Sequence, residues 1–126
     1  MRRLTAPCAI LLALLGCGGG DDDEPTRTLT VGAGETLQVA AREYSFDPNR
    51  VVVERAGAVT LRLDNEGDLA HNLRLRRDGR EVGGTPTFEG GRTESGSVQV
   101  EPGQYEMLCT VGDHAELGME GELEVK

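Results

Sequence analysis

The sequence predicts an all-β domain, a sandwich or barrel of about eight short strands. Three observations predict it. Apolar residues alternate with polar ones over short runs, the period of a sheet with one buried face. Eighteen glycines, with punctuation such as Asp47-Pro48-Asn49 and Pro102-Gly103, supply turns between those runs. No segment carries a helical period. A chain of 126 residues has room for one core and not two, and with no Trp, two Phe and two Tyr that core is built from Val, Leu and Ala.

The elements follow in chain order. Arg2 and Arg3 precede a short apolar run, Ala9 to Leu15, that is too short to span a bilayer. It ends in Leu14-Leu15-Gly16-Cys17, which resembles the lipobox of bacterial lipoproteins. That resemblance implies a signal peptide over residues 1–16 and a lipid on Cys17; an ordinary signal peptide with a stray cysteine is the alternative. A twin-arginine signal fits poorly, because Leu4-Thr5-Ala6 does not continue that motif. Residues 17–27 combine glycines with a run of acids and read as a flexible tether. The folded domain is expected over residues 28–126.

Within it the predicted strands are Thr28–Val31, Thr36–Ala40, Arg50–Glu54, Val59–Asp64, His71–Arg76, Gly96–Glu101, Gln104–Cys109 and Gly121–Lys126. Gly32-Ala33-Gly34 and Asn65-Glu66-Gly67 separate neighbours. Asp78 to Ser95 has no clear period and reads as a long excursion between strands. Parity carries a further expectation. His71 shares a face with Leu73 and Leu75, and Cys109 shares one with Tyr105 and Met107. One pole of a sandwich can therefore gather His71 and Cys109.

The segment CTVGDHAELGM, Cys109 to Met119, holds the cysteine left once Cys8 departs and Cys17 is lipidated. A lone thiol in an oxidising compartment is a liability unless something occupies it. Cys109 offers a thiolate, His71 and His114 offer imidazoles, and Met119 offers a thioether. Two histidines and a cysteine with a weak axial methionine are the donor set of blue copper. Each residue alone has a plainer reading as core filler or turn, as Met107 does. Together they use both histidines of the chain. Zinc is a second possible occupant of a Cys-His₂ set.

At these residues the chain resembles the cupredoxins, the small blue copper proteins. The C-x₄-H-x₄-M spacing looks like that of auracyanin and rusticyanin; plastocyanin has a shorter gap from Cys to His, and azurin a shorter one from His to Met. EYSFDP, LRLDNEGDLAHNL and VEPGQYEMLCTVGDH are similar to this family too, so the resemblance spans roughly Thr36 to Lys126. It implies a Greek-key β-sandwich holding one copper ion, with His71, Cys109 and His114 as strong ligands and Met119 as the axial one. It also implies that Asn72 bonds to the ligand loop at Thr110 and steadies the site. The position before the cysteine, often aromatic in the family, is Leu108, which puts an aromatic electron route there in doubt. Ala115, Leu117 and Gly118 are the small or apolar residues available for a patch around His114.

The resemblance implies a protein that carries single electrons between redox partners, such as a cytochrome or a membrane complex. Four protein ligands leave no open position for a substrate, so no enzyme activity is expected. Two histidines are too few for the extra copper centres of nitrite reductases and multicopper oxidases. A binuclear copper centre needs two loop cysteines, and the loop has only Cys109. The alternatives are a copper-trafficking or storage protein and a metal-free sandwich. Delivery favours an exposed site with extra Met or His, which this chain lacks. A net charge of −9 argues against nucleic acid and acidic membrane surfaces, leaving the lipid anchor as the only membrane link. The expected place is the periplasmic or extracellular face of a bacterial membrane, as a monomer.

Overall fold

The computed structural model describes residues 27–126; the lipobox, Cys17 and most of the tether lie outside the described residues. Ten strands form: β1 (Thr28–Val31), β2 (Thr36–Arg42), β3 (Ser45–Asp47), β4 (Arg50–Val53), β5 (Gly57–Asn65), β6 (Arg74–Arg77), β7 (Arg80–Gly84), β8 (Thr93–Val100), β9 (Gly103–Leu108) and β10 (Glu120–Val125). No helix is present among the described residues. The strands build a six-stranded sheet in the order β1-β4-β10-β9-β6-β7 and a four-stranded one in the order β3-β2-β5-β8. Pairing is parallel for β1 with β4, β4 with β10 and β2 with β5, and antiparallel elsewhere.

Alternation decides which side chains enter the core. Leu37, Val39 and Ala41 of β2, Val59, Leu61 and Leu63 of β5, and Val98 and Val100 of β8 point inward from one sheet. Val51, Val53, Leu75, Tyr105, Met107, Leu123 and Val125 meet them from the other. Between the free edges of the two sheets, Gly84 and Gly96 approach so closely that a Cβ on Gly96 would strike the Gly84 carbonyl. Any side chain there would prise β7 from β8.

The crossover from β8 to β9 is pinned by one hydroxyl. The buried Tyr105 accepts a hydrogen bond from the Glu101 N–H (2.9 Å) and donates to the Glu101 carbonyl (3.3 Å). This is the tyrosine corner that sandwiches use where the chain changes sheets. The Arg77 guanidinium lies 5.3 Å from the centre of the same ring. Strand β9, which leads to Cys109, is thereby fixed at its start.

Three expectations need correction. His71 lies outside β6, which begins at Arg74, because pairing with β9 starts only at Arg74 opposite Leu108. Cys109 likewise follows the end of β9 instead of closing it. The segment from Asp78 to Ser95 is no excursion. It contains β7, the start of β8 and, between them, an arm lying along residues 71–73: the His71 N–H donates to the Phe88 carbonyl (3.0 Å) and the Thr85 N–H to the Leu73 carbonyl (2.9 Å). β7 is an exposed edge strand ending in Gly83-Gly84, so it has no buried face to leave a period in the sequence. β3 escaped notice because three residues are too few to show one.

Candidate metal centre

Strands β10, β9 and β6 are neighbours, and the segments at one end of them carry the predicted ligands. His71 enters just before β6, Cys109 leaves β9, and the loop from Cys109 to Met119 returns to β10. The loop is tied to itself. His114 N–H donates to the Val111 carbonyl (3.0 Å), Met119 N–H to the His114 carbonyl (3.0 Å), and Cys109 N–H to the Met119 carbonyl (3.2 Å). Those last two bonds hold the main chains of Cys109, His114 and Met119 together.

His71, Cys109 and His114 converge on one point. The two Nδ1 atoms are 3.2 Å apart, and Cys109 Sγ lies 3.9 Å from His71 Nδ1 and 3.6 Å from His114 Nδ1. A triangle with those sides has a point about 2.1 Å from every corner, the length of a metal–nitrogen bond and close to that of a metal–sulfur bond. His71, Cys109 and Met119 are within 1 % of complete burial, and His114 retains 8 % exposure. Met119 packs in the same core cluster as Cys109.

The protonation of His71 is set from outside the triangle. Its Nε2 lies 2.9 Å from Glu43 Oε1. The Leu69 N–H, then the His71 ring and the Asp68 N–H, hold the Glu43 carboxyl down at about 2, outweighing the desolvation that pushes it up. An ionised carboxylate only accepts, so Nε2 carries the hydrogen; in the neutral ring that leaves Nδ1 as the lone-pair nitrogen facing His114 and Cys109. With the ring nitrogens and the sulfur deprotonated, three lone pairs face one point out of water, an arrangement that a cation between them stabilises. The residues fit copper: two imidazoles and a cysteine sulfur converge, and the buried Met119, whose carbonyl accepts from the Cys109 N–H, brings a thioether to the same loop.

The surroundings steady this geometry. Asn72 is buried and donates from Nδ2 to Thr110 Oγ1 (2.8 Å) and Thr87 Oγ1 (2.8 Å), while its Oδ1 accepts from the Thr110 N–H (2.9 Å). Asn65, fully buried at the end of β5, donates to the carbonyls of Leu69 (2.9 Å) and Phe88 (3.2 Å). It also accepts from the Gly67 N–H (3.1 Å), so every polar atom of its amide is used. The Tyr44 ring meets His114 edge-on, with centroids 5.0 Å apart. Ala115 is half-buried, Gly118 is exposed, and Leu117 is 52 % exposed.

Sequence reasoning named the three converging residues, Met119 and the Asn72–Thr110 pair, but missed Glu43, Asn65 and Tyr44. Glu43 and Tyr44 sit in a segment read only for its likeness to a family, and Asn65 was read as a strand stop. A charged residue beside the polar-flanked strand end at Arg42 carries no signal of its own. Leu69, 44 % exposed, was also unremarked.

Comparison with known proteins agrees with this geometry. Residues 33–126 match the model of the copper binding proteins of the plastocyanin/azurin family. No curated protein sequence matches the chain. Among solved structures it is similar to dithionite-reduced auracyanin from the photosynthetic bacterium Roseiflexus castenholzii, with 19 % identity and a TM-score of 0.65 over 72 % of this chain and 96 % of that one. It is similar too to auracyanin A, a "blue" copper protein from the green thermophilic bacterium Chloroflexus aurantiacus, with 21 % identity and a TM-score of 0.64 over 73 % of this chain and 98 % of that one. For auracyanin B the values are 20 %, 0.66, 74 % and 89 %.

Proposed function

The chain belongs to the plastocyanin/azurin family of copper-binding proteins, and on that premise we propose that it is an electron carrier and not an enzyme. One observation carries the reading: two imidazole nitrogens and a thiol converge within 3.9 Å of one another inside the protein, ready-made for a single ion. Bound there, copper supplies a one-electron couple between its two common oxidation states.

The protein's own residues do the rest. His71, Cys109, His114 and Met119 hold one compromise geometry, because the hydrogen bonds of the loop and of Asn72 fix them independently of the ion's charge. Burial keeps water and other ligands from the site. His114 is the ligand nearest to solvent, and the exposed Leu117, with Ala115 and Gly118, forms an apolar rim through which a redox protein can approach without stripping water from charges. Burial of the other three ligands disfavours a delivery role, which needs an easily opened site.

The test is the visible spectrum after adding copper to the purified protein, followed by reduction and reoxidation. An intense thiolate absorption that bleaches and returns is expected; a colourless copper complex, or one that cannot be cycled, removes the reading. The location is a separate proposal resting on Leu14-Leu15-Gly16-Cys17: an exported protein whose Cys17 carries lipid at the outer face of a bacterial membrane, with residues 17–27 as its tether. Mass spectrometry of the native protein should find acyl chains on Cys17 as the first residue. A mature N-terminus elsewhere rules out the anchor.

A further inference from the structure

We propose that Glu43 is a positioning residue for His71 that biases the site toward its oxidised state, a proposal that rests on the copper reading above. The carboxylate sits at a three-way junction. Oε1 accepts from His71 Nε2 (2.9 Å) and from the Leu69 N–H (2.9 Å), and Oε2 accepts from the Asp68 N–H (3.2 Å). It therefore joins the end of β2, the loop of residues 66–70 and the ring of a buried ligand. Its side chain is only 29 % exposed, so water screens the charge incompletely.

The fold leaves room for this group on purpose of shape alone. A Cβ on Gly67 would lie 2.8 Å from the Glu43 carboxyl carbon, well inside contact distance. Gly67 is thus the floor of a cradle whose walls are two backbone N–H groups. A carboxylate so held orients the imidazole through Nε2–H and raises the basicity of Nδ1. Its negative charge also favours whichever state of the centre is more positive. With one thiolate, that state is copper(II), so the reduction potential is lowered. The step tuned is the gain or loss of one electron, with no bond broken and no proton moved.

Two variants of the full protein remove the charge and its position in turn. Glu43→Gln keeps an acceptor for Nε2–H but removes the charge. Gly67→Ala keeps the charge but pushes the carboxylate away from the ring. Both should weaken copper(II) binding about tenfold relative to copper(I), which raises the potential by about 59 mV for a one-electron couple. A second readout needs no copper. In the metal-free protein, nitrogen-edited NMR should show a slowly exchanging His71 Nε2–H that moves upfield in Glu43→Gln. If the wild-type protein never takes up copper as a coloured centre, the functional reading fails while that NMR signal still tests the Glu43–His71 bond. Potential and ring signal both equal to wild type in Glu43→Gln overturn the proposal. Should Gly67→Ala fail to fold, Glu43→Gln decides alone.

Discussion

Asn72 and Thr110 hold each other by two hydrogen bonds, side chain to side chain at 2.8 Å and backbone N–H to side chain at 2.9 Å. They are 38 residues apart in sequence, and each adjoins one of the converging residues, His71 and Cys109. This pair links the two segments that meet at the metal centre, beyond the point where the pairing of β6 with β9 stops. Asn72→Ala removes it, together with the bond to Thr87. The cost should be about 2–3 kcal/mol, because a buried amide with three satisfied bonds is lost and Thr110 N–H is left without its partner. For a domain of this size that lowers Tm by roughly 10 °C or more. Thermal unfolding measures it, and a fall below about 3 °C contradicts the role.

The donor set makes the second prediction. Cys109→Ser should abolish the intense absorption of the copper-loaded protein, since that transition needs the sulfur. Met119→Leu should keep a coloured centre and raise its potential, because losing a weak donor destabilises copper(II) more than copper(I). A cysteine variant with an unchanged spectrum would rule the site out.

Leu117 is exposed on the loop that carries His114. Leu117→Lys should slow electron exchange with a partner by about tenfold, the size of a modest docking hot spot. Spectrum, potential and Tm should stay near wild type. A collapse of stability instead identifies Leu117 as a support of the loop and withdraws the proposed port.

Tyr105→Phe tests the corner that starts β9. The hydroxyl serves Glu101 twice and also accepts from Arg77 (3.3 Å), so its loss should cost on the order of 1 kcal/mol. The ring stays, and so does the cation above it. Denaturant unfolding reads the loss; the copper spectrum should not move, since the hydroxyl is at the opposite end of β9 from Cys109.

How much of this was legible depended on where information sits in a sequence. Strands with one wet face, such as β5 and β8, advertise themselves by alternation, and both were read within a few residues of their ends. β7 was not, because an edge strand exposed on both sides obeys no period. His71 and Cys109 were placed on the right faces by parity even though both lie beyond their strand ends. The spacing of Cys109, His114 and Met119 was visible because all three fall in one loop. Glu43 was invisible for the opposite reason: its partners, His71 and the Asp68 and Leu69 N–H groups, lie 25 to 28 residues away, and one glutamate among many acids has no pattern. Asn65 shows the same limit, since its tie to Phe88 spans 23 residues.

The separation of His71 from the loop has a topological consequence. An ion touching both His71 and Cys109 closes a ring through 38 residues of chain, as a cross-link would. The bonds between Asn72 and Thr110 also join the two ends, so the binding free energy of the ion adds to theirs. At a hundred times its dissociation constant that is about 2.7 kcal/mol, and unfolding must break the clasp before β6 and β9 can part. An ion held there therefore lengthens the life of each folded copy, because it binds the folded chain and not the unfolded one.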